Sequence, residues 1–258
     1  MAAVTRYGWA LRYADASLRA DKDVVLAAVK ENGLAFEYAN ASLRADNDVV
    51  LAAVTQNGWA LRYADSSLQA DKHVVLAAVK DDGWALTRVD PSLQADKEVV
   101  LAAVTQHGWT LQFVDAFFQT DKDVVMAAVK KKGAALEYAD ATLRADKEVV
   151  MTAVKNYGTV LEYADPTLRA DLEVLLVAAR HGTATAALKL VRQLSKLPDW
   201  REQEAIMDRA AEMLASFPVS DTSPKVHKQI HDVVECIMKQ AYQPGQKRDR
   251  EAFEREVF

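Results

Sequence analysis

The sequence predicts an all-α fold: an α-solenoid (right-handed superhelix) of 25-residue helix–short-helix repeats, followed by a C-terminal helical cap outside the repeat. Three observations carry that prediction. Asp21, Asp46, Asp71, Asp96, Asp121, Asp146 and Asp171 fall 25 residues apart without a slip. Gly8, Gly33, Gly58, Gly83, Gly108, Gly133 and Gly158 keep the same step. Between the two series runs an apolar stretch, such as Val24 to Val29, that continues into a lysine and reads as helix. A fixed period of this length is the signature of a stacked array, because one unit alone cannot bury its apolar face.

Each part of the unit D-K-[DE]-V-V-[LM]-A-A-V-K-x-x-G-W-A-L-x-Y-A-D-x-S-L-R-A has a physical task. The leading Asp is a good N-cap, since its carboxylate accepts from the first unpaired amides of a helix. The next residues, Lys22 to Asn32 in the first full copy, form a helix of about three turns. That helix is apolar nearly all round, as expected of one covered on several sides. Gly33 is expected to end it in the left-handed conformation that only glycine adopts cheaply. A second, shorter helix follows over Leu34 to Ala39. Another cap-type residue closes it: Asp15, Asn40, Asp65, Asp90, Asp115, Asp140 or Asp165. Pro91 and Pro166 come directly after such an Asp, where proline starts a helix without losing a hydrogen bond, so A-S-L-R reads as one more helical turn. The competing reading is a strand in a leucine-rich repeat, but the L-x-x-L-x-L-x-x-N pattern is absent.

The motif D-[KN]-x-V-V-[LM]-x-A-V-K-x-x-G-x-A-L-x-Y-A resembles the DUF4116 repeats, short helical repeats of unknown function found in tandem. The resemblance runs from residue 1 to about 180. It implies a helical array and brings no activity, cofactor or site with it. A looser similarity links the arrangement to leucine-rich-variant repeats, which alternate α- and 3₁₀-helices at a similar period.

The repeats occupy 1–182, as a partial copy, six full copies and a degenerate last one, with a helical cap and charged tail over 183–258. Met1 aligns with the sixth position of the unit, so the first copy lacks its Asp and both valines. Solenoid ends need polar caps, and the expectation is a fragment of a longer array. After Gly182 the pattern dissolves into expected helices over 184–196, 199–217 and 223–242.

Residues 185–258 carry 12 basic and 12 acidic side chains, so the net charge of −5 lies in the repeats, with 20 basic against 25 acidic. An acidic array suits nucleic acid poorly, because phosphates need a basic face. Cys236 is the only cysteine, which removes intrachain disulfides and thiolate metal clusters. The apolar runs are far shorter than the ~20 residues of a membrane-spanning helix, and no signal-peptide layout is visible. The expectation is a soluble, cytoplasmic protein.

Repetition also separates scaffold from variable positions. The Asp, the first Val, the second Ala of the pair and the Gly do not change among the full copies. Change concentrates just before the Gly. One series is Arg6, Glu31, Gln56, Asp81, Gln106, Lys131 and Asn156, and its neighbour is Tyr7, Asn32, Asn57, Asp82, His107, Lys132 and Tyr157. Along a solenoid the first series forms a candidate partner-binding ridge, with drift of an exposed helix end as the alternative. Trp9, Trp59, Trp84 and Trp109 share one position, with Tyr13, Tyr63, Arg88 and Phe113 four residues later. Spacing of i, i+4 puts each pair on one helix face. The expectation is a half-buried ladder with Arg88 over Trp84, the alternative a stacking platform for bases or a proline-rich peptide.

Catalytic signals are weak. His227 and His231 are i, i+4 with Cys236 nearby, but the Glu of H-E-x-x-H is missing. There is no G-x-S-x-G and no phosphate-cradling glycine loop. The expectation is no catalytic, metal or cofactor site, and a non-catalytic scaffold that binds protein or peptide. The alternative is the targeting portion of a larger enzyme. A one-base-per-repeat nucleic-acid reader ranks third, since such codes need a basic groove.

Overall fold

A computed structural model describes residues 1–181 and Lys189 of the chain. The C-terminal helices expected beyond 184, with His227, His231 and Cys236, lie outside the described residues. Two compact units emerge, Met1–Asp140 and one beginning at Ala141. Among the described residues every regular element is helical.

Each full repeat in the first unit contributes three elements, except that the α-turn of the last one falls in the second unit. The long α-helices are Lys22–Glu31, Asn47–Gln56, Lys72–Asp81, Lys97–Gln106 and Lys122–Lys131. Each is followed by a six-residue 3₁₀-helix, as in Gly33–Tyr38, Gly58–Tyr63 and Gly83–Arg88, then by a single α-turn such as Ala41–Arg44. The partial first copy adds Ala2–Arg6, Gly8–Tyr13 and Ala16–Arg19. The second unit holds Ala141–Arg144, Lys147–Asn156, Gly158–Tyr163, a 3₁₀ turn at Leu168–Ala170, and Leu172–Arg180. The second helix of the repeat is therefore 3₁₀, a form that runs only briefly because its hydrogen bonds are poorer.

All seven Asp caps do what their chemistry predicts. Asp21 Oδ1 accepts from the amides of Asp23 at 2.9 Å and Val24 at 3.1 Å, and Asp46, Asp71, Asp96, Asp121, Asp146 and Asp171 cap their helices likewise. At the second cap, Asp90 accepts from the amide of Ser92 with Pro91 in the first helical position. Long helices stack on long helices and 3₁₀-helices on 3₁₀-helices, in consecutive order through the first unit. Val24, Val25, Ala28 and Val29 of a long helix are buried, with Phe36 or the leucine at its place (Leu61, Leu86, Leu111) closing the core from the 3₁₀ side. Leu26 and Ala27 stay half-buried on the outer side.

The expectation for the glycines is corrected. The backbone at Gly33 is not left-handed. Its helix ends because Asn32 is extended, with φ −148° and ψ 108°, and the glycine then opens the 3₁₀-helix. The glycine is required by contact with the next repeat. A Cβ on Gly33 would stand 2.6 Å from the Ala53 carbonyl oxygen, and one on Gly83 would strike the Ala103 carbonyl. Ala53 and Ala103 are copies of the unchanging second alanine, so the two invariants are the two sides of one contact.

Two further devices hold the stack. At several second caps the amide reaches back one repeat, from Asn40 to the Arg19 carbonyl at 2.9 Å and from Asp65 to that of Arg44 at 2.9 Å. At Arg44, Gln69, Gln94 and Gln119 the last residue of the α-turn folds back over its own 3₁₀-helix. Gln69 Nε2 donates to the carbonyls of Leu61 and Ala64, and Arg44 Nε to that of Ala39, satisfying groups a helix end leaves unpaired.

Because Gly83 faces backbone, Gly83→Ala is expected to destabilise the first unit by about 1–3 kcal/mol, the range of forced overpacking. Gly83→Asn is expected to be worse. A left-handed glycine would show the opposite order, since asparagine tolerates that conformation. Urea denaturation of the three proteins decides between them.

Candidate binding surface

The ridge residues share one structural place. Glu31, Gln56, Asp81, Gln106, Lys131 and Asn156 are each the last residue of a long helix, and Arg6 ends the shortened helix Ala2–Arg6 of the partial copy. Six are exposed and Gln106 is half-buried. Asp81 also carries structure: its Oδ2 accepts from the Gly58 amide of the preceding repeat at 2.7 Å.

In the neighbouring series Tyr7, Lys132 and Tyr157 are exposed and cap nothing, while the other four are engaged. Asn32, Asn57 and Asp82 cap their own 3₁₀-helices by accepting from the amides of Leu34, Trp59 and Trp84. Asp82 Oδ2 accepts from Trp59 Nε1 at 2.7 Å. His107 Nδ1 accepts from the Gly83 amide at 3.2 Å. These bonds all cross, or sit beside, the junction where one repeat's 3₁₀-helix meets the end of the next long helix.

The aromatics form a half-buried ladder, but between repeats. With three residues per 3₁₀ turn, positions i and i+4 point in different directions, so the expected pairing within a repeat fails. Trp9 instead meets Tyr38 edge-on at 5.9 Å, Trp84 meets Phe113 at 5.4 Å, and Trp109 meets Tyr138 at 5.9 Å. Trp84 packs on Phe113 and His107 in place of Arg88. Such edge-to-face pairs add roughly 0.5–1.5 kcal/mol beyond area burial. One edge of the ladder stays open to solvent: Trp9 is 44% exposed and Phe113 49%.

A row of charged rungs was not foreseen. Lys22 Nζ lies 2.9 Å from the Asp46 carboxylate and 2.8 Å from that of Asp48. Lys72 binds Asp96 and Glu98, Lys97 binds Asp121 and Asp123, and in the second unit Lys147 binds Asp171 and Glu173. A signal for it stood in the sequence: where Asn47 replaces the lysine, His73 replaces the second acid. Hydrogen bonds from Lys22 and from its own helix amides hold the Asp46 carboxyl below its usual range. At Asp121 burial opposes the drop, and Lys97 with the helix amides outweighs it. The ammonium groups of Lys22, Lys72 and Lys97 are held above their usual range, chiefly by these carboxylates.

Among the described residues no group of three or more His, Cys, Asp or Glu side chains could hold a metal ion. No described helix is long and apolar enough to cross a membrane. What the geometry defines is an array of α/3₁₀ repeats with a varied edge on a constant backbone. The family model "Domain of unknown function (DUF4116)" matches residues 1–44, 21–69, 46–94, 71–119, 96–144, 121–169 and 146–183. The chain belongs to the DUF4116 family. Each full match spans two adjacent repeats, and so includes the junction between them. No curated protein and no solved structure shows significant similarity to the chain.

Two outcomes follow from the rungs. The lowered carboxyls contribute stability that is complete above their unfolded value near 3.8 and is lost as pH falls below it. The raised lysines contribute stability that is complete below 10.5 and is lost as pH rises above it. Urea midpoints measured across pH are expected to decline at both limits and to hold between them. Separately, Asn47→Lys with His73→Glu is expected to raise the midpoint slightly, and about 1 M salt should abolish the gain by screening.

Proposed function

We propose that the array is a non-catalytic scaffold that binds a protein or peptide along the edge where the long helices end. The observation that carries this reading is the ridge itself. One exposed residue per repeat changes from Arg6 to Glu31, Gln56 and Lys131 in charge and hydrogen-bonding character while the backbone beneath it repeats. A surface varied residue by residue on a rigid, periodic support suits recognition of an extended partner. The open edge of the aromatic ladder lies one residue past the glycine, and aromatic side chains commonly anchor protein interfaces. The acid excess of the repeats favours protein over nucleic acid. A cytoplasmic location goes with this reading, since Cys236 as sole cysteine leaves the fold independent of disulfides.

The test starts from a partner captured by crosslinking through the array and then purified. Glu31→Ala, Gln56→Ala and Lys131→Ala together are expected to weaken its binding at least about tenfold, while the melting temperature stays nearly constant, as for surface changes away from caps and core. Unchanged affinity in this triple variant, measured by calorimetry, would remove the ridge from the interface. Loss of affinity only on replacing Trp9 and Phe113 would move the site to the aromatic row.

A further inference from the structure

Between the long helices Lys97–Gln106 and Lys122–Lys131 lies an open groove of about 460 Å³, lined by Thr105, Asp123, Met126, Ala127, Lys130 and Lys131. Its floor is apolar, formed by half-buried Met126 and Ala127. Here the repeat departs from the four full copies before it in two ways at once, although the next copy shares the methionine as Met151. Leu26, Leu51, Leu76 and Leu101 occupy the Met126 position in the earlier copies. Lys130, Lys131 and Lys132 stand where those copies have Lys30-Glu31-Asn32, Thr55-Gln56-Asn57, Lys80-Asp81-Asp82 and Thr105-Gln106-His107.

Both departures have consequences. Methionine is unbranched and polarisable and fits varied apolar shapes better than leucine. The lysines are all exposed. Complementing the negative end of a helix accounts for one lysine here. It does not account for three in succession, the last of them past the helix end. The groove lining carries two lysines, Lys130 and Lys131, against one acid, Asp123, so its mouth has a positive excess within an otherwise acidic array.

We infer that this groove docks an acidic segment of a partner protein, an apolar side chain seated on Met126 and Ala127 with flanking carboxylates against Lys130 and Lys131. The inference rests on the scaffold reading and gives it a place and a partner chemistry. A nucleic acid fits less well, because a single basic patch over an apolar floor offers few phosphate contacts.

The probe is a random short-peptide display library panned on the full chain, with the enriched peptides synthesised and titrated into protein labelled at the methionine methyl carbons. The expected peptides carry Asp or Glu around one Leu, Met, Phe or Trp. They shift the Met126 methyl signal and leave that of Met151 in place. Lys130→Glu with Lys131→Glu weakens them at least about tenfold, and raised salt weakens them further. Met126→Ala weakens them while the Met151 signal reports an intact fold. Peptides that bind without moving Met126, or bind the charge-reversed protein equally well, overturn the groove and leave the scaffold standing. Absence of any enriched peptide also overturns the groove, and the ridge variant with its crosslinked partner then judges the scaffold independently. Single-stranded oligonucleotide that shifts Met126 more tightly than any peptide overturns the assignment of partner class.

Discussion

The contact between a glycine and the helix of the next repeat is the constraint on which the structure depends. Gly33 approaches the Ala53 carbonyl closely enough that no side chain fits between them. Ala53 itself is buried and small, and its carbonyl also accepts the Asn57 amide at 2.9 Å, the bond that closes the end of its helix. Spacing between units is thus set by backbone against backbone, which leaves little freedom to slip. The valines, the aromatic ladder and the amide bond from Asn40 to Arg19 all fall into register once that distance is fixed. Neighbour-only contacts of this kind make stability a sum of local terms.

Polar chemistry is arranged around this apolar stack rather than within it. Thr110 is the one buried polar residue among the described residues, and its hydroxyl donates to the His107 carbonyl. Each long helix of a full repeat is capped by its own aspartate, and where the preceding repeat supplies a lysine the same carboxylate can also bind it, as Asp46 binds both its helix amides and Lys22. One residue therefore ends one interaction problem and begins another. Exposed ion pairs contribute little singly. Their regular placement does favour one partner helix for each lysine.

Function, on the reading proposed here, draws on what the stack leaves unspecified. Most long helices end on an exposed residue whose type changes between repeats, whereas at Asn32, Asn57 and Asp82 the residue after it is held by the 3₁₀-helix it caps. Asp81 and Asp82 show how near the two roles lie: both bind groups of the preceding repeat, Gly58 and Trp59. Lys131 lies on the other side of that division, exposed on the wall of an apolar groove.

The period, the helices and both series of caps were legible in the sequence, because capping is local chemistry: Asp21 needs only its own next three amides. The buried valines followed from the same pattern. The reason for Gly33 was not legible, since the atom that excludes a Cβ lies on Ala53, twenty residues away and one repeat up. Nor was the choice of 3₁₀ over α for Gly33–Tyr38, and with it went the pairing of Trp84 with Phe113. The rungs left a trace, the joint loss of lysine at Asn47 and acid at His73, but reading it requires knowing that those positions face each other. Candidate ridge positions could be picked out by their variation alone. That Asp81 is tied to Gly58 while Glu31 and Lys131 stand at exposed helix ends was decided only by the stack, because a side chain's partners across a repeat junction depend on where the neighbouring repeat comes to rest.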